Sequence, residues 1–190
     1  MAGERPPFVA AEQGRRPDAR VEVWFQDGAR VGQQGTLTHV WAETGSRPEA
    51  VKQTEYDWVY LYASVNPLTG ASSAMLAPTV NAAYMSEHLR MVGAAAGPGA
   101  HVVLVLDGAG WHVAQALQVP SNVTLLPLPP YSPKLNPVER VWGYMRQRYL
   151  SCRVYKDYDH VFDATAAAWN RLDPDRLKSL CRTSWLTPAN

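Results

Sequence analysis

The spacing of apolar positions changes along this chain, and the changes mark out its elements. The run Val21-Glu-Val-Trp-Phe-Gln26 predicts a strand, and residues 36–42 alternate and predict a second. Residues 58–65 are rich in aromatic and β-branched side chains and predict a third strand. Asn66-Pro-Leu-Thr-Gly70 reads as a tight hairpin turn, with residues 71–76 returning as the next strand. Residues 81–95 carry Met85, Leu89 and Val92 at helical spacing, and Gly97-Pro-Gly99 stops the helix they predict. Residues 101–106 are almost continuously apolar, as expected of a central strand buried on both faces. A short helix near residues 112–117 and a short strand at 123–126 follow. Pro127-Leu-Pro-Pro-Tyr-Ser-Pro133 holds too many prolines for the interior of a helix or strand. Residues 137–150 predict an amphipathic helix with Val138, Val141, Trp142, Met145 and Tyr149 inward, and residues 158–172 and 174–181 predict closing helices. No internal repeat is visible. Residues 1–20 are rich in Arg, Pro, Gly and Gln without periodicity and read as a flexible tail or linker, leaving one domain over 21–186. The order predicts an α/β fold, a mixed β-sheet flanked by helices.

Composition narrows the class. A chain of 190 residues, 46% hydrophobic and 18% charged, suffices for one domain with a real core. No apolar run approaches the roughly 20 residues that span a bilayer. The N-terminus has no signal-peptide core, so a cytoplasmic protein with no membrane association is expected. Cys152 and Cys181 form neither a C-x-x-C pair nor a zinc spacing with the histidines, and read as reduced thiols.

Net charge is only +1, but its distribution is uneven. Lys134, Arg140, Arg146, Arg148, Arg153 and Lys156 form a basic stripe with Glu139 the single acid between residues 134 and 156. A solvated helix face is the plain alternative. Three carboxylates carry the candidate chemistry. Asp27 follows the first apolar run, Asp107 follows the apolar run at 101–106, and Glu139 stands where the proline-rich loop turns into a helix. Asp27 and Asp107 are expected at the carboxyl ends of adjacent inner strands, where α/β sheets tend to place ligands. Carboxylates converging there would bind hard divalent cations such as Mg²⁺. Each has a structural alternative. Asp27 and Asp107 suit turns. Asn136-Pro-Val-Glu139 fits a capping box, with Asn136 as the N-cap and Glu139 at the third helical position. Gly108-Ala-Gly110 is not a dinucleotide fingerprint, because Val113 occupies its sixth position. Arg30, His112, Tyr131, Lys134, Asn136, Arg140 and Arg146 are candidate DNA contacts, mainly to the backbone. Trp24, Trp41, Trp58, Trp142, Trp169 and Trp185 read as core.

The segment Leu126-Pro-Leu-Pro-Pro-Tyr-Ser-Pro-Lys-Leu-Asn-Pro-Val-Glu-Arg-Val-Trp142 resembles the third-acid motif of DDE transposases of the mariner-like superfamily, in its bacterial insertion-sequence branch. Leu104-Val-Leu-Asp-Gly-Ala-Gly-Trp-His112 resembles the second-aspartate motif, and Trp24-Phe-Gln-Asp-Gly-Ala-Arg30 the first. The resemblance implies a ribonuclease-H-like fold. It also implies a catalytic, metal-binding triad of Asp27, Asp107 and Glu139, with Mg²⁺ or Mn²⁺ as cofactor, two ions when DNA is bound. The activity implied is DNA strand cleavage and strand transfer during cut-and-paste transposition of an insertion sequence. Element ends and target DNA would be the substrates, with a homodimer forming on DNA. The branch often has an acid directly after the first Asp, where Gly28 stands here. Relatives carry N-terminal helix-turn-helix regions, for which residues 1–20 are too short. A separately encoded helix-turn-helix half is therefore expected as a partner. Two rival readings remain: an inactive remnant that binds DNA or a partner transposase, and a ribonuclease-H-like nuclease without strand transfer.

Overall fold

A computed structural model describes residues 6–33, 41–46, 49, 53, 55–108, 116–129, 132–183 and 186. The elements are α1 (Pro7–Arg15), β1 (Arg20–Gly32), β2 (Trp58–Val65), β3 (Ser72–Ala77), α2 (Ala82–Ala95), β4 (Ala100–Leu106), β5 (Val123–Pro127), α3 (Val138–Met145), α4 (Tyr158–Trp169) and α5 (Pro174–Cys181). A single 3₁₀ turn, Pro133–Leu135, precedes α3, and a π-helical turn, Arg146–Leu150, follows it. The strands form one sheet in the order β3-β2-β1-β4-β5. β1 runs antiparallel to β2 and parallel to β4; β3 and β5 extend the sheet antiparallel and parallel respectively.

Alternation along β1 explains the two layers of the core. Val23 and Phe25 face Val138, Val141, Trp142 and Met145 of α3. Trp24, on the other face, joins Met85, Leu89 and Val92 of α2. Every residue of β4 is buried, as a strand covered on both faces requires. Asn81 caps α2 by accepting a hydrogen bond from the Tyr84 amide at 2.9 Å. In the β2–β3 hairpin, Gly70 adopts φ 75° and its α-carbon lies against the Pro174 backbone at the start of α5. A side chain there would be strained and would also collide.

Several elements depart from the sequence expectation. β1 does not end before Asp27: its ladder with β2 continues from Phe25↔Val65 to Gly32↔Trp58. Within the expected flexible tail, residues 7–15 form α1, which buries Val9 and Glu12. Helical periodicity was undetectable there because so few positions face inward. The helix expected over 137–150 changes pitch at Arg146, so Leu150 is buried and Tyr149 only half-buried. Trp41 is fully exposed rather than core, and neither it nor Ala42 lies in a strand. Residues 36–40 of that expected strand, residues 112–115 of the expected short helix, and Trp185 lie outside the described residues. Among the described residues no helix is long and apolar enough to cross a membrane.

Candidate active site

The parallel register of β1 and β4 sets the first two acids side by side. Pairing runs from Arg20↔Ala100 to Phe25↔Val105, so two residues further on Asp27 lies level with Asp107. β4 ends at Leu106, which leaves Asp107 exposed beyond its tip, while β1 continues along β2. Asp27 shares the face of Val23 and Phe25, the face covered by α3. Glu139 lies in the first turn of α3 and is exposed. Three elements distant in sequence thus present their acids at one end of the sheet.

Asn136 fixes where α3 begins. Its side-chain Nδ2 donates to the Gln26 carbonyl at 2.8 Å, and its Oδ1 accepts from the Val138 amide at 3.2 Å. One buried amide therefore ties the helix start to the β1 residue preceding Asp27. Both ends are used within the protein and the side chain is 4% exposed. It does cap the helix, but the reciprocal half of the capping box is missing: among the described residues the Glu139 carboxylate makes no hydrogen bond. Glu139 is thereby left available to a ligand.

Asp27 is held from two sides. The Gly28 amide donates to Oδ1 at 2.8 Å, and the Trp142 indole N–H donates to Oδ2 at 2.9 Å. Even so, its pKa is raised from 3.8 to about 7. Burial is the largest cause and the charge of Glu139 the next; the two hydrogen bonds oppose them, and Asp107 adds a smaller upward push. Both other acids are thus close enough to act on Asp27. Sequence reading assigned Trp142 to the core alone. It is buried, but its indole N–H also orients an acid. The signal was present: Trp142 lies three residues after Glu139, hence on the same side of α3.

The donor set is entirely carboxylate oxygen, which suits a hard divalent cation. Among the described residues, however, no three His, Cys, Asp or Glu side chains are drawn together closely enough to hold an ion.

The candidate DNA contacts separate on inspection. Lys134, Arg140 and Arg146 are exposed, as are Arg148, Arg153 and Lys156. Arg140 Nη2 donates to the Arg182 carbonyl at 2.8 Å, and Arg146 Nε to the Trp142 carbonyl at 3.3 Å. Arg30 is exposed with its guanidinium 4.0 Å from the centre of the Trp58 ring. His112 and Tyr131 lie outside the described residues. Cys152 is exposed and Cys181 buried, with burial pushing the Cys181 thiol up to about 12. That thiol stays protonated.

The model of the DDE superfamily endonuclease family matches residues 22–161. A protein of Sinorhizobium fredii (strain NBRC 101917 / NGR234), described as uncharacterized protein y4pE/y4sA, is 45% identical over 130 residues, covering 67% of this chain and 96% of that protein. Among solved structures, the Mos1 transposase paired-end complex with left transposon end superposes with a TM-score of 0.63 at 16% identity, covering 92% of this chain. The catalytic domain of Mos1 mariner transposase gives 0.60 at 15% identity, covering 92% of this chain and 81% of that one. The chain spans 55% of the Mos1 chain in the paired-end complex. At such identities the likeness shows the fold, which is ribonuclease-H-like. The family match covers most of the chain and contains all three acids, and the chain belongs to the DDE superfamily of endonucleases.

Proposed function

We propose that this chain is the catalytic part of an insertion-sequence transposase, cleaving DNA strands and joining the freed ends to a target. The observation that carries the reading is the parallel register that sets Asp27 level with Asp107, with Glu139 in the first turn of the helix that covers the same face. Acids gathered in this way repel one another, and a shared cation would relieve that repulsion. Asp27, Asp107 and Glu139 would hold Mg²⁺ or Mn²⁺, two ions with DNA bound. Ions held there would supply the activation of water and the stabilisation of the leaving oxygen in an in-line displacement. Trp142 and the Gly28 amide hold Asp27 in one orientation, and Asn136 keeps Glu139 in range.

In the cleavage step a water oxygen bonds to phosphorus as the bond to the 3′-oxygen breaks. In the joining step that 3′-hydroxyl attacks a target phosphodiester, displacing a second 3′-oxygen. The catalytic unit runs over residues 21–186, with α1 docked on β1. Element ends and target DNA are the substrates, and a homodimer assembles on DNA. The protein then works in the bacterial cytoplasm, at the nucleoid when bound. The Mos1 mariner paired-end complexes with Mn and with Mg support the cofactor reading by analogy.

The test is an assay with Mg²⁺ or Mn²⁺ on two substrates, an intact element end and a pre-cleaved end with target DNA. Cleavage and joining that both vanish in Asp107→Ala support a transposase. Cleavage without joining identifies a nuclease of this fold. Activity unchanged by Asp107→Ala refutes the triad, and an inert unaltered chain refutes the enzyme reading.

A further inference from the structure

The sheet face that α2 covers is mainly apolar, with Trp24, Met85, Leu89, Leu104 and Leu106 packed together there. One level of it is polar. Gln26, two residues after Trp24 on β1, stands opposite Ser64 on β2, and Ser64 stands opposite Ser73 on β3. Residues directly opposite share a face, so the three form a row across the sheet. His88 of α2 meets this row, with its Nε2 2.8 Å from Ser64 Oγ. Gln26, Ser64 and His88 are each 0% exposed. Among the described residues neither the nitrogen nor the oxygen of the Gln26 side-chain amide has a hydrogen-bond partner. An apolar side chain of the same shape would fill the position at lower cost, so a buried amide there calls for a partner.

We propose that Gln26 and Ser64 hold an ordered water molecule between them, which ties β1 to β2 and α2 at the residue before Asp27. The inference goes beyond the proposed function and does not rest on it. Three arguments favour water. Opposite residues on antiparallel strands place their β-carbons about 4.5–5.5 Å apart, so the Gln26 amide and the Ser64 hydroxyl flank a common space. A buried water needs roughly two to four polar partners. The amide offers N–H donors and a carbonyl acceptor, and the Ser64 hydroxyl keeps capacity beyond its bond to His88. Both groups are neutral and Asp27 lies on the opposite face, which favours water over a metal ion.

The consequence is mechanical. The Gln26 carbonyl accepts from Asn136 Nδ2, at the start of α3, at 2.8 Å. With the water bridge, the helical layers on both faces of the sheet are tied to a single β1 residue. Asp27 follows that residue, and its carboxylate accepts from the Trp142 indole N–H at 2.9 Å. Gln26 is thus a positioning residue for Asp27.

The test uses the full chain with a chelator and without DNA. A crystal structure at a resolution that shows ordered waters should place one within hydrogen-bond distance of both the Gln26 amide and Ser64 Oγ. A Gln26 amide bonded directly to protein, or ordered density with no water beside it, overturns the proposal. Gln26→Met keeps the side-chain length and removes both amide ends. In this variant the Trp142 indole N–H, followed by nuclear magnetic resonance, should exchange with solvent on the order of 10-fold faster, while the backbone amides of β4 keep their rates. Ser64→Ala deletes one oxygen at the other end of the bridge and should do the same, which covers a Gln26→Met chain that does not fold. A general loss of stability would instead quicken the β4 amides and the indole together. That result, or an unchanged indole rate in a folded variant, overturns the positioning role. Neither measurement involves cleavage, so a failure here leaves the nuclease reading untouched.

Discussion

At the scale of single residues the site is a conflict centred on Asp27. Burial and two neighbouring acids raise its pKa from 3.8 to about 7, against the two N–H groups that favour its charged form. The sign of the stability effect follows. Below the ordinary value, folded and unfolded chains both keep the proton. Between the two values the unfolded chain has released it and the folded chain retains it. Stability from this group therefore falls as pH rises through that window, and is fully lost above about 7. Without metal, Asp27→Asn should melt higher than the unaltered chain at pH 8, by on the order of a few kcal/mol at most, and show little difference near pH 4. Melting curves in chelator at both pH values check this; an equal shift at both would remove the titration argument. Trp142→Phe keeps most of the ring bulk but loses the N–H donor. Its midpoint for loss of stability should move to higher pH. Mn²⁺ binding, followed by calorimetry, should weaken about 10-fold, because hydrogen bonds to charged groups contribute about 1.5–3 kcal/mol. A variant that melts lower but binds Mn²⁺ normally would make Trp142 a packing residue only.

At the scale of elements, much was legible and the failures share a cause. β2, the hairpin, α2, β4 and β5 are set by local apolar patterns, and each observed boundary falls within a residue of the expected one. The motif around Glu139 likewise announced a helix start. Sequence reading failed where an element is defined by its partner. β1 appeared to stop at Gln26 because Asp27, Gly28 and Arg30 break its apolar pattern, yet the ladder to β2 keeps the backbone extended. The π-helical turn could not be read because periodicity assumes one helical pitch. The tie from Asn136 to β1 could not be read because the Gln26 carbonyl it serves is 110 positions away in the chain. That bond gives an element-scale prediction. Asn136→Ala leaves the Gln26 carbonyl and the Val138 amide without this partner, and should lower stability by about 1–3 kcal/mol. Glu139→Gln, lacking any capping bond to lose, should change stability little while abolishing metal-dependent nicking, since Gln lacks the charge a hard cation needs. Thermal melts paired with a nicking assay separate them. A large stability loss in Glu139→Gln would restore the capping role.

At the scale of the whole molecule, near-neutral net charge conceals a polar division. The acids lie together at one end of the sheet, and exposed cations follow Glu139 along α3 and the turn after it: Arg140, Arg146 and Arg148, then Arg153 and Lys156. An acidic centre alone would repel a polyanion. In the proposed function the stripe would attract the DNA backbone and cations at the acids would neutralise the remainder, so the two parts would work only in combination. Because exposed side chains that reach phosphates carry no base information, this chain by itself should bind terminal-repeat and scrambled duplexes with similar affinity. Its binding constant should fall steeply with salt, with a slope on a logarithmic plot that counts the phosphates neutralised, about 0.9 for each. Arg148→Ala should then reduce that slope by about one and weaken binding to both duplexes alike. Arg140→Ala should do less, because its guanidinium already serves the Arg182 carbonyl. Gel shifts with the two duplexes at several salt concentrations provide the measurement. A strong preference for the repeat would show that this chain reads sequence unaided, and a flat salt response would show that the stripe is merely solvated and that DNA, if bound, is held elsewhere.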